Sequence, residues 1–264
     1  MRVLLRILFA LFAAIAAAFT YFTNTERNPV TGENQHISMS VEQEIALGLQ
    51  AAPKMAEQFG GLSTDRKAAG TVKRVGQKIV DATVAESSPY RFDFHLLADD
   101  TTINAFALPG GQIFMTQGLL KRLKNEDQLA GVLGHEIGHV IGRHSAEHLA
   151  KAKLTQGLTG AAVIATYDPS NPRSMGTAAV AALIGNMMTM KFGRDDELES
   201  DRFGVNFVAE AGYRPEAMIE VMKILGEASG GKRPAEFFST HPNPENRIVN
   251  IKQAIVERSG GESR

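Results

Sequence analysis

The feature that most constrains this chain is the sequence His135-Glu136-Ile137-Gly138-His139, which lies inside a long apolar segment. Apolar residues recur there at helical spacing, and Asn125 suits the start of the helix because its side chain can accept a hydrogen bond from a free backbone N–H. Histidines four residues apart share one helix face, so both imidazoles can approach one metal ion. The sequence therefore predicts a helix from Asn125 onward that presents His135, Glu136 and His139 together.

This motif is typical of zinc-dependent hydrolysis. Zinc held by two histidines lowers the pKa of water to about 7, and the neighbouring Glu136 can take the proton as the water attacks a carbonyl group. The chain has no cysteine, which excludes disulfides and thiolate zinc sites. Lys and Arg total 28 and Asp and Glu total 29, a balance that argues against general nucleic-acid binding. Any metal must therefore be held by His, Asp or Glu.

A zinc site of this type needs a third protein ligand, and the acidic segment 194–202 offers one. Glu197 and Asp201 are four residues apart and share a helix face. Glu197 can bind the metal, while Asp201 can accept the second N–H of a ligating histidine and hold its tautomer. Glu199 points to another side of the helix and is the weaker candidate. The alternative for this segment is an exposed acidic helix.

Two other arrangements of nearby histidines compete with this site. The string HExxHxxGxxH would need a third histidine at position 145, which is Ser145, and His144 comes one residue early, about 100° away on a helix. The segment 144–148 matches the inverted motif HxxEH, but a straight helix places His144 about 180° from His135. We therefore expect 144–148 to be a solvated helix end.

The rest of the chain predicts an α+β fold, a mostly helical zincin-like domain with a small sheet. Capping and apolar periodicity place two helices between residues 40 and 85. Residues 91–97 alternate as a strand does, and two further strands at 104–108 and 112–116 flank Pro109-Gly110-Gly111, which favours a hairpin-like bend. We expect 112–116 to be an edge strand beside the cleft, where an extended substrate adds by main-chain hydrogen bonds. A purely structural strand is the alternative.

The N-terminus predicts export or anchoring. Residues 1–22 carry arginines at positions 2 and 6 and continue with an uncharged run at 7–22. A spanning helix needs about 20 apolar residues and a secretory signal about 7–15, so the segment fits a cleaved signal or an uncleaved membrane anchor. A buried N-terminal helix is the third possibility. Residues 23–39 predict a linker, and 40–264 are expected to form the metallopeptidase domain.

Two further segments, 157–167 and 176–190, are apolar on all sides and too short to cross a bilayer. They predict a helical hairpin in the core or as a lid beside the cleft. Contact with lipid, a partner or a second subunit is the alternative.

Taken together, these motifs make the chain resemble the M48 family of zinc metalloproteases, whose fold is of the gluzincin type. HEIGH is preceded by Asn-Ala-Phe-Ala-Leu-Pro-Gly-Gly at 104–111 and followed by ExxxD at 197–201. His-Pro-Asn-Pro-Glu-Asn-Arg at 241–247 matches the HPxxxxR pattern of the family. The resemblance covers about residues 40–258.

The resemblance implies that His135, His139 and Glu197 bind one zinc ion per chain and that Glu136 is the general base. It further implies that His241 lies on a loop over the site, where it can occupy the open zinc position and hold the enzyme latent. This chain resembles the periplasmic or single-anchor bacterial members. The resemblance therefore implies a periplasmic enzyme that acts in quality control of envelope proteins. Residues 1–22 would tether it to the inner membrane if they act as an uncleaved anchor, and would be removed if they act as a signal.

The predicted activity is that of an endopeptidase that takes unfolded or misassembled proteins in extended form. Arg247 has two candidate roles, pairing with Asp201 or stabilising the oxyanion that develops during hydrolysis. A chaperone-like binding module on the same fold is the alternative function. The presence of Glu136 argues against that alternative, because a scaffold without turnover would not need the residue.

Overall fold

The computed structural model describes residues 2–166, 187, 190–229, 236–242 and 246–261. The chain divides into two compact units. The larger comprises Pro29–Thr31, Val41–Ser145 and Lys191–Arg264, and the smaller comprises Met1–Asn28, Gly32–Ser40 and Ala146–Met190. All the predicted site residues belong to the larger unit.

The described helices and strands confirm the predicted α+β class, with helices far outnumbering short strands. In chain order they are α1 (Arg2–Thr23), β1 (Glu26–Arg27), β2 (Asn34–Gln35), α2 (Val41–Gln58), α3 (Arg66–Asp81), β3 (Asp93–Leu97), β4 (Ala105–Ala107), β5 (Gln112–Thr116), α4 (Gln117–Leu120), α5 (Glu126–Ile141), α6 (His144–Thr166), α7 (Arg194–Glu210), α8 (Ala217–Ser229), α9 (Phe237–Thr240) and α10 (Arg247–Gly261).

The sheet of the larger unit has the strand order β3-β5-β4. β4 and β5 form the predicted antiparallel hairpin, and Gly110 and Gly111 in its turn have positive φ values of 79° and 109°. The prediction that 112–116 is an edge strand is wrong. β5 is the central strand, because β4 folds back along one side while β3 pairs with the other side in parallel. Every residue of β5 is buried, and β3 and β4 are the strands at the two edges of the sheet.

Helix α5 is the central element of the larger unit. The Asn125 side chain accepts a hydrogen bond from the N–H of Gln128 at 3.0 Å, which confirms the predicted N-cap. Every residue from Gln128 to Ile141 is buried, because α3, α7, α8 and the sheet pack around the helix. The HEIGH motif therefore lies in the protein interior.

Two glycines of α5 allow α7 to approach closely. A Cβ atom at Gly134 would lie 2.9 Å from Cγ2 of Val208, and one at Gly138 would lie 3.0 Å from the carbonyl oxygen of Ser200. Real Cβ atoms are rarely or never found this close to their neighbours. A side chain at either position would separate the helices, so these glycines set the distance between the HEIGH histidines and the acidic face of α7.

The smaller unit contains α1, the antiparallel pair β1–β2 and the part of α6 that follows Ser145. The pair β1–β2 lies within the predicted linker. Several large apolar side chains of α1 are exposed, which differs from the alternative of a buried N-terminal helix: Leu5, Phe9, Phe12 and Phe19.

None of the helices within the described part of the chain is long and apolar enough to cross a membrane. Export or anchoring by residues 1–22 stays a prediction. The predicted apolar hairpin lies outside the described residues, apart from the 157–166 end of α6 and residues 187 and 190.

Candidate metal centre

Four buried side chains of the larger unit converge on one point. His135, His139, Glu197 and His241 each offer a ligand atom, and these atoms all lie within 4.8 Å of one another. Nε2 of His135 lies 3.1 Å from Nε2 of His139. Oε1 of Glu197 lies 3.5 Å from Nε2 of His139 and 3.0 Å from Nδ1 of His241. Residues more than 100 positions apart thus form one cluster.

Three separate elements supply this cluster. His135 and His139 stand one turn apart on α5, Glu197 lies in the first turn of α7, and His241 directly follows α9. Glu199, two residues beyond Glu197, points to another side of α7, as its helical spacing predicts. The structure therefore brings together the residues named from HEIGH and ExxxD, together with His241.

The polar atoms of the cluster fit a bound metal ion. Within the described residues, Nε2 of His241 and both carboxylate oxygens of the neighbouring Glu136 are buried and have no hydrogen-bond partner, whereas Oε2 of Glu197 lies 2.8 Å from Nη1 of Arg247. Burying such atoms without a partner is costly, and a cation would satisfy them. Two or three imidazole nitrogens with one carboxylate are a donor set that zinc prefers.

Glu136 lies beside the cluster and does not belong to it. Its Oε1 atom is 3.7 Å from Nε2 of His241, and the residue is fully buried. Burial raises the pKa of Glu136, although the nearby His241 and His135 act in the opposite direction. A raised pKa makes a carboxylate a stronger base, which suits a group that takes up a proton during hydrolysis.

Burial favours a neutral His139, and the neighbouring positive groups favour an ionised Glu197. Burial lowers the pKa of His139 well below its usual value, so the imidazole keeps a free lone pair. Burial acts to raise the pKa of Glu197, but the neighbouring His241 holds it well below its usual range. A neutral imidazole and an ionised carboxylate are the forms that bind metals.

Asp201 and Arg247 form a buried pair next to His135. Oδ1 of Asp201 lies 3.0 Å from Nδ1 of His135, and Arg247 donates hydrogen bonds to both oxygens of the same carboxylate. Nη1 of Arg247 also lies 2.8 Å from Oε2 of Glu197. Burial opposes ionisation of Asp201, but the charge of Arg247 keeps its pKa below the usual value. The guanidinium is thus directed at two carboxylates.

The segment that carries His241 is packed closely over the cluster. The His241 ring stacks on Phe237, with centroids 4.4 Å apart and planes 12° apart. The N–H of Phe237 donates a hydrogen bond to the carbonyl of Ile103, two residues before β4, and the N–H of Phe192 donates one to the carbonyl of Thr240. Contacts at both ends of α9 therefore hold His241 in place. Positions 243–245 of the HPxxxxR pattern lie outside the described residues.

The prediction that 144–148 is a solvated helix end is wrong for His144. Its side chain is buried, and its Nδ1 atom lies 2.9 Å from Nδ1 of His139. The helix does not continue straight from α5 to α6, because Arg143 has a left-handed conformation with φ of 57°. His144 therefore turns back toward the metal cluster without joining it.

Sequence reasoning also missed Phe192 and the partner of Arg143. The Phe192 ring stacks on His139 at 4.0 Å, and the buried Arg143 side chain donates a hydrogen bond from Nε to Glu44 at 2.9 Å. Phe192 and Glu44 are distant from HEIGH in the chain and carry no local signal.

A buried helix with two histidines and an intervening glutamate, faced by an acidic helix, defines the metallopeptidase class. The sequence pattern described as Peptidase family M48 matches residues 66–255 of this chain. This match covers most of the chain. The chain therefore belongs to peptidase family M48 and is a protease.

Individual relatives agree with this assignment. The chain is 31% identical over 241 residues to the mitochondrial metalloendopeptidase OMA1 of Schizosaccharomyces pombe, covering 90% of this chain and 68% of the relative. It is 29% identical over 242 residues to the Beta-barrel assembly-enhancing protease of Escherichia coli, covering 90% of this chain and 48% of the relative. The chain thus spans about half the length of this bacterial relative.

Proposed function

We propose that this protease is a zinc-dependent endopeptidase in which His135, His139 and Glu197 bind one zinc ion. The observation that carries the proposal is the convergence of their ligand atoms within 4.8 Å, in a buried space. Acceptor atoms without hydrogen-bond partners in the described structure support it, because a cation would satisfy them. Imidazole and carboxylate donors in this combination suit zinc.

A bound zinc ion supplies Lewis-acid chemistry, since it acidifies water and polarises a carbonyl oxygen. Glu136 is the group of this chain that moves the proton. Its carboxylate takes a proton from the attacking water and delivers it to the nitrogen of the leaving amine. Its raised pKa and its burial beside the cluster support this role.

Asp201 and Arg247 are proposed to position the ligands. Asp201 accepts the Nδ1–H of His135, which leaves Nε2 of that ring free for the metal. Arg247 pairs with both Asp201 and Glu197 and offsets part of their negative charge. We assign Arg247 this pairing role in preference to oxyanion stabilisation, because its side chain is enclosed and its donors face two carboxylates.

His241 is proposed to hold the enzyme latent. Its Nδ1 atom lies 3.0 Å from Glu197 and its Nε2 atom 3.7 Å from Glu136, so the ring lies where a substrate carbonyl would have to enter. Movement of α9 would remove His241 and Phe237 together. A binding module that retains the metal without turnover is the alternative, and the activity of the His241 variant distinguishes the two.

The proposed substrates are unfolded or misassembled proteins of the bacterial envelope, bound in extended form. β4 is one of the two edge strands of the sheet and precedes the metal-site helix. Its three residues are buried, so its backbone can pair with a substrate strand only after its free edge becomes exposed. Backbone pairing accepts varied side chains, which suits unfolded proteins. The name of the Escherichia coli relative refers to β-barrel assembly, which supports an envelope setting for this chain.

A periplasmic location is also proposed, with residues 1–22 acting as the export signal or as a tether to the inner membrane. It is supported by the two N-terminal arginines followed by the uncharged run at 7–22. Fractionation of cells that produce the full chain, with and without this segment, tests the location. A full chain found in the cytoplasm would contradict it.

The experiment that tests the activity measures zinc per chain and cleavage of unfolded casein by the full chain. Glu136→Gln is expected to retain zinc and lose cleavage by a factor of about 100 or more, because the base is removed while the ligands stay. His139→Ala is expected to lose both. His148→Ala, in the competing HxxEH motif, serves as the control and should keep both. Normal cleavage by Glu136→Gln would overturn the mechanism.

A further inference from the structure

A series of hydrogen bonds leads from Nδ1 of His139, the ring nitrogen that faces away from the metal cluster, to the protein surface. Nδ1 of His139 lies 2.9 Å from Nδ1 of His144, and Nε2 of His144 lies 3.1 Å from Oε2 of Glu199. His144 is 1% exposed, whereas the Glu199 side chain is 25% exposed. These hydrogen bonds thus connect the buried His139 to the carboxylate of Glu199 at the surface, through the buried imidazole of His144.

The chemistry of the donors and acceptors decides which nitrogen of each imidazole carries the hydrogen. An ionised carboxylate only accepts, so the ring of His144 places its hydrogen on Nε2, toward Glu199. In a neutral imidazole the other nitrogen is then an acceptor. Nδ1 of His144, which also lies 3.3 Å from the hydroxyl oxygen of Ser200, accepts the shorter hydrogen bond from Nδ1 of His139. Nε2 of His139, which faces His135 and Glu197, therefore carries no hydrogen.

We propose that His144 is a positioning residue that holds His139 in the tautomer that binds the metal, and that Glu199 fixes the tautomer of His144 in turn. The proposal rests on the proposed function of the metal centre. The tautomer of His135 is fixed directly by a carboxylate, because Asp201 accepts a hydrogen bond from Nδ1 of that ring. The two histidines of HEIGH are thus oriented by different groups. A carboxylate orients His135, whereas an imidazole that is itself hydrogen-bonded to a carboxylate orients His139.

The backbone conformation between α5 and α6 allows His144 to contact His139. On a continuous helix, a residue five positions after His139 would lie about 140° away from it around the axis. The left-handed conformation of Arg143 breaks the helix and turns His144 back, and the buried ion pair of Arg143 with Glu44 fixes the turn. A side chain at Gly142 would overlap the His144 ring.

The test compares zinc affinities of the full chain by competition with a chelator. His144→Leu removes the acceptor and is expected to weaken zinc binding about 10- to 100-fold. His144→Asn places an amide oxygen near the position of Nδ1, so its affinity should stay within a few-fold of wild type. The matched control is His95→Leu, because His95 also makes a hydrogen bond and a ring stack but lies in the sheet.

A second measurement keeps the proposal testable even if His144→Leu does not fold. Ring nitrogen chemical shifts of the zinc-free wild-type chain report which nitrogen of His139 carries the hydrogen. A hydrogen on Nδ1 is expected, and a hydrogen on Nε2 would overturn the proposal. Equal zinc affinities of wild type and folded His144→Leu would overturn this inference alone. A wild-type chain that binds no zinc would overturn the proposed function, and this inference with it.

Discussion

The guanidinium of Arg247 donates two hydrogen bonds to the carboxylate of Asp201, from Nε at 2.7 Å and from Nη2 at 2.6 Å. Both side chains are almost completely buried, and the same carboxylate contacts His135. The pair therefore connects α10, near the end of the chain, to α5 through α7. A residue 112 positions after His135 thus helps to define the surroundings of that ring.

Replacing Arg247 should destabilise the larger unit strongly. Arg247→Met leaves the buried carboxylates of Asp201 and Glu197 without their positive partner, and we expect the free energy of unfolding to fall by about 3–5 kcal/mol. Urea denaturation measures the change. The control is Lys121→Met, in the exposed pair with Asp100, which should change stability by less than about 1 kcal/mol. Similar losses in both variants would show that burial of the pair is unimportant.

Removing the side chain of His241 should raise peptidase activity. His241→Ala keeps His135, His139 and Glu197 and frees the space between Glu197 and Glu136, where His241 now lies. An increase of about tenfold would correspond to an open fraction of about one in ten in the wild type. Steady-state cleavage of an unfolded protein measures it, with His95→Ala as the control. Unchanged or lower activity would count against the latch.

Protonation of Asp99 should lower the stability of the folded chain in acid. Burial acts to raise the pKa of Asp99, but hydrogen bonds from Thr102 and Thr101 lower it to about 2. Because the folded-state pKa lies below the unfolded value, this contribution to stability is complete above about pH 4 and is lost as the pH falls toward 2.

Thermal unfolding of wild type and Asp99→Ala between pH 6 and pH 3 tests this expectation. The difference in melting temperature between the two chains should be largest at pH 6 and should shrink as the pH falls. The direction is decisive, because a group stabilised in its ionised form contributes less once protons compete for it. A difference that grows on acidification would contradict the assigned pKa.

Replacing two glycines of α3 by alanine should change the stability of the chain in opposite directions. A Cβ atom at Gly76 would overlap the ring of Phe94, whereas a Cβ atom at Gly70 would have no neighbour within 4 Å among the described residues. Gly76→Ala is expected to destabilise the chain by about 1–3 kcal/mol through overpacking. Gly70→Ala should stabilise it by up to about 1 kcal/mol through helix propensity. Chemical denaturation measures both, and effects of the same sign would refute the assigned packing.

The sequence by itself determined the elements whose signals are local. Asn125 and the apolar periodicity after it specify α5, and the Pro-Gly-Gly turn specifies the β4–β5 hairpin. The spacing of HEIGH and ExxxD puts His135 with His139, and Glu197 with Asp201, on single helix faces. These features depend on residues within one or two turns of one another, so the chain encodes them without knowledge of its partners.

The tertiary structure alone decided what depends on distant segments. β5 is central and not at the edge, because β3 pairs with its second side. His144 is buried against His139 and not solvated, because the chain turns at Arg143, whose buried partner Glu44 lies 99 positions away. Arg247 faces Asp201 and Glu197 because α10 packs on α7. Periodicity cannot report such contacts, since their free energy comes from side chains that meet only in the folded chain.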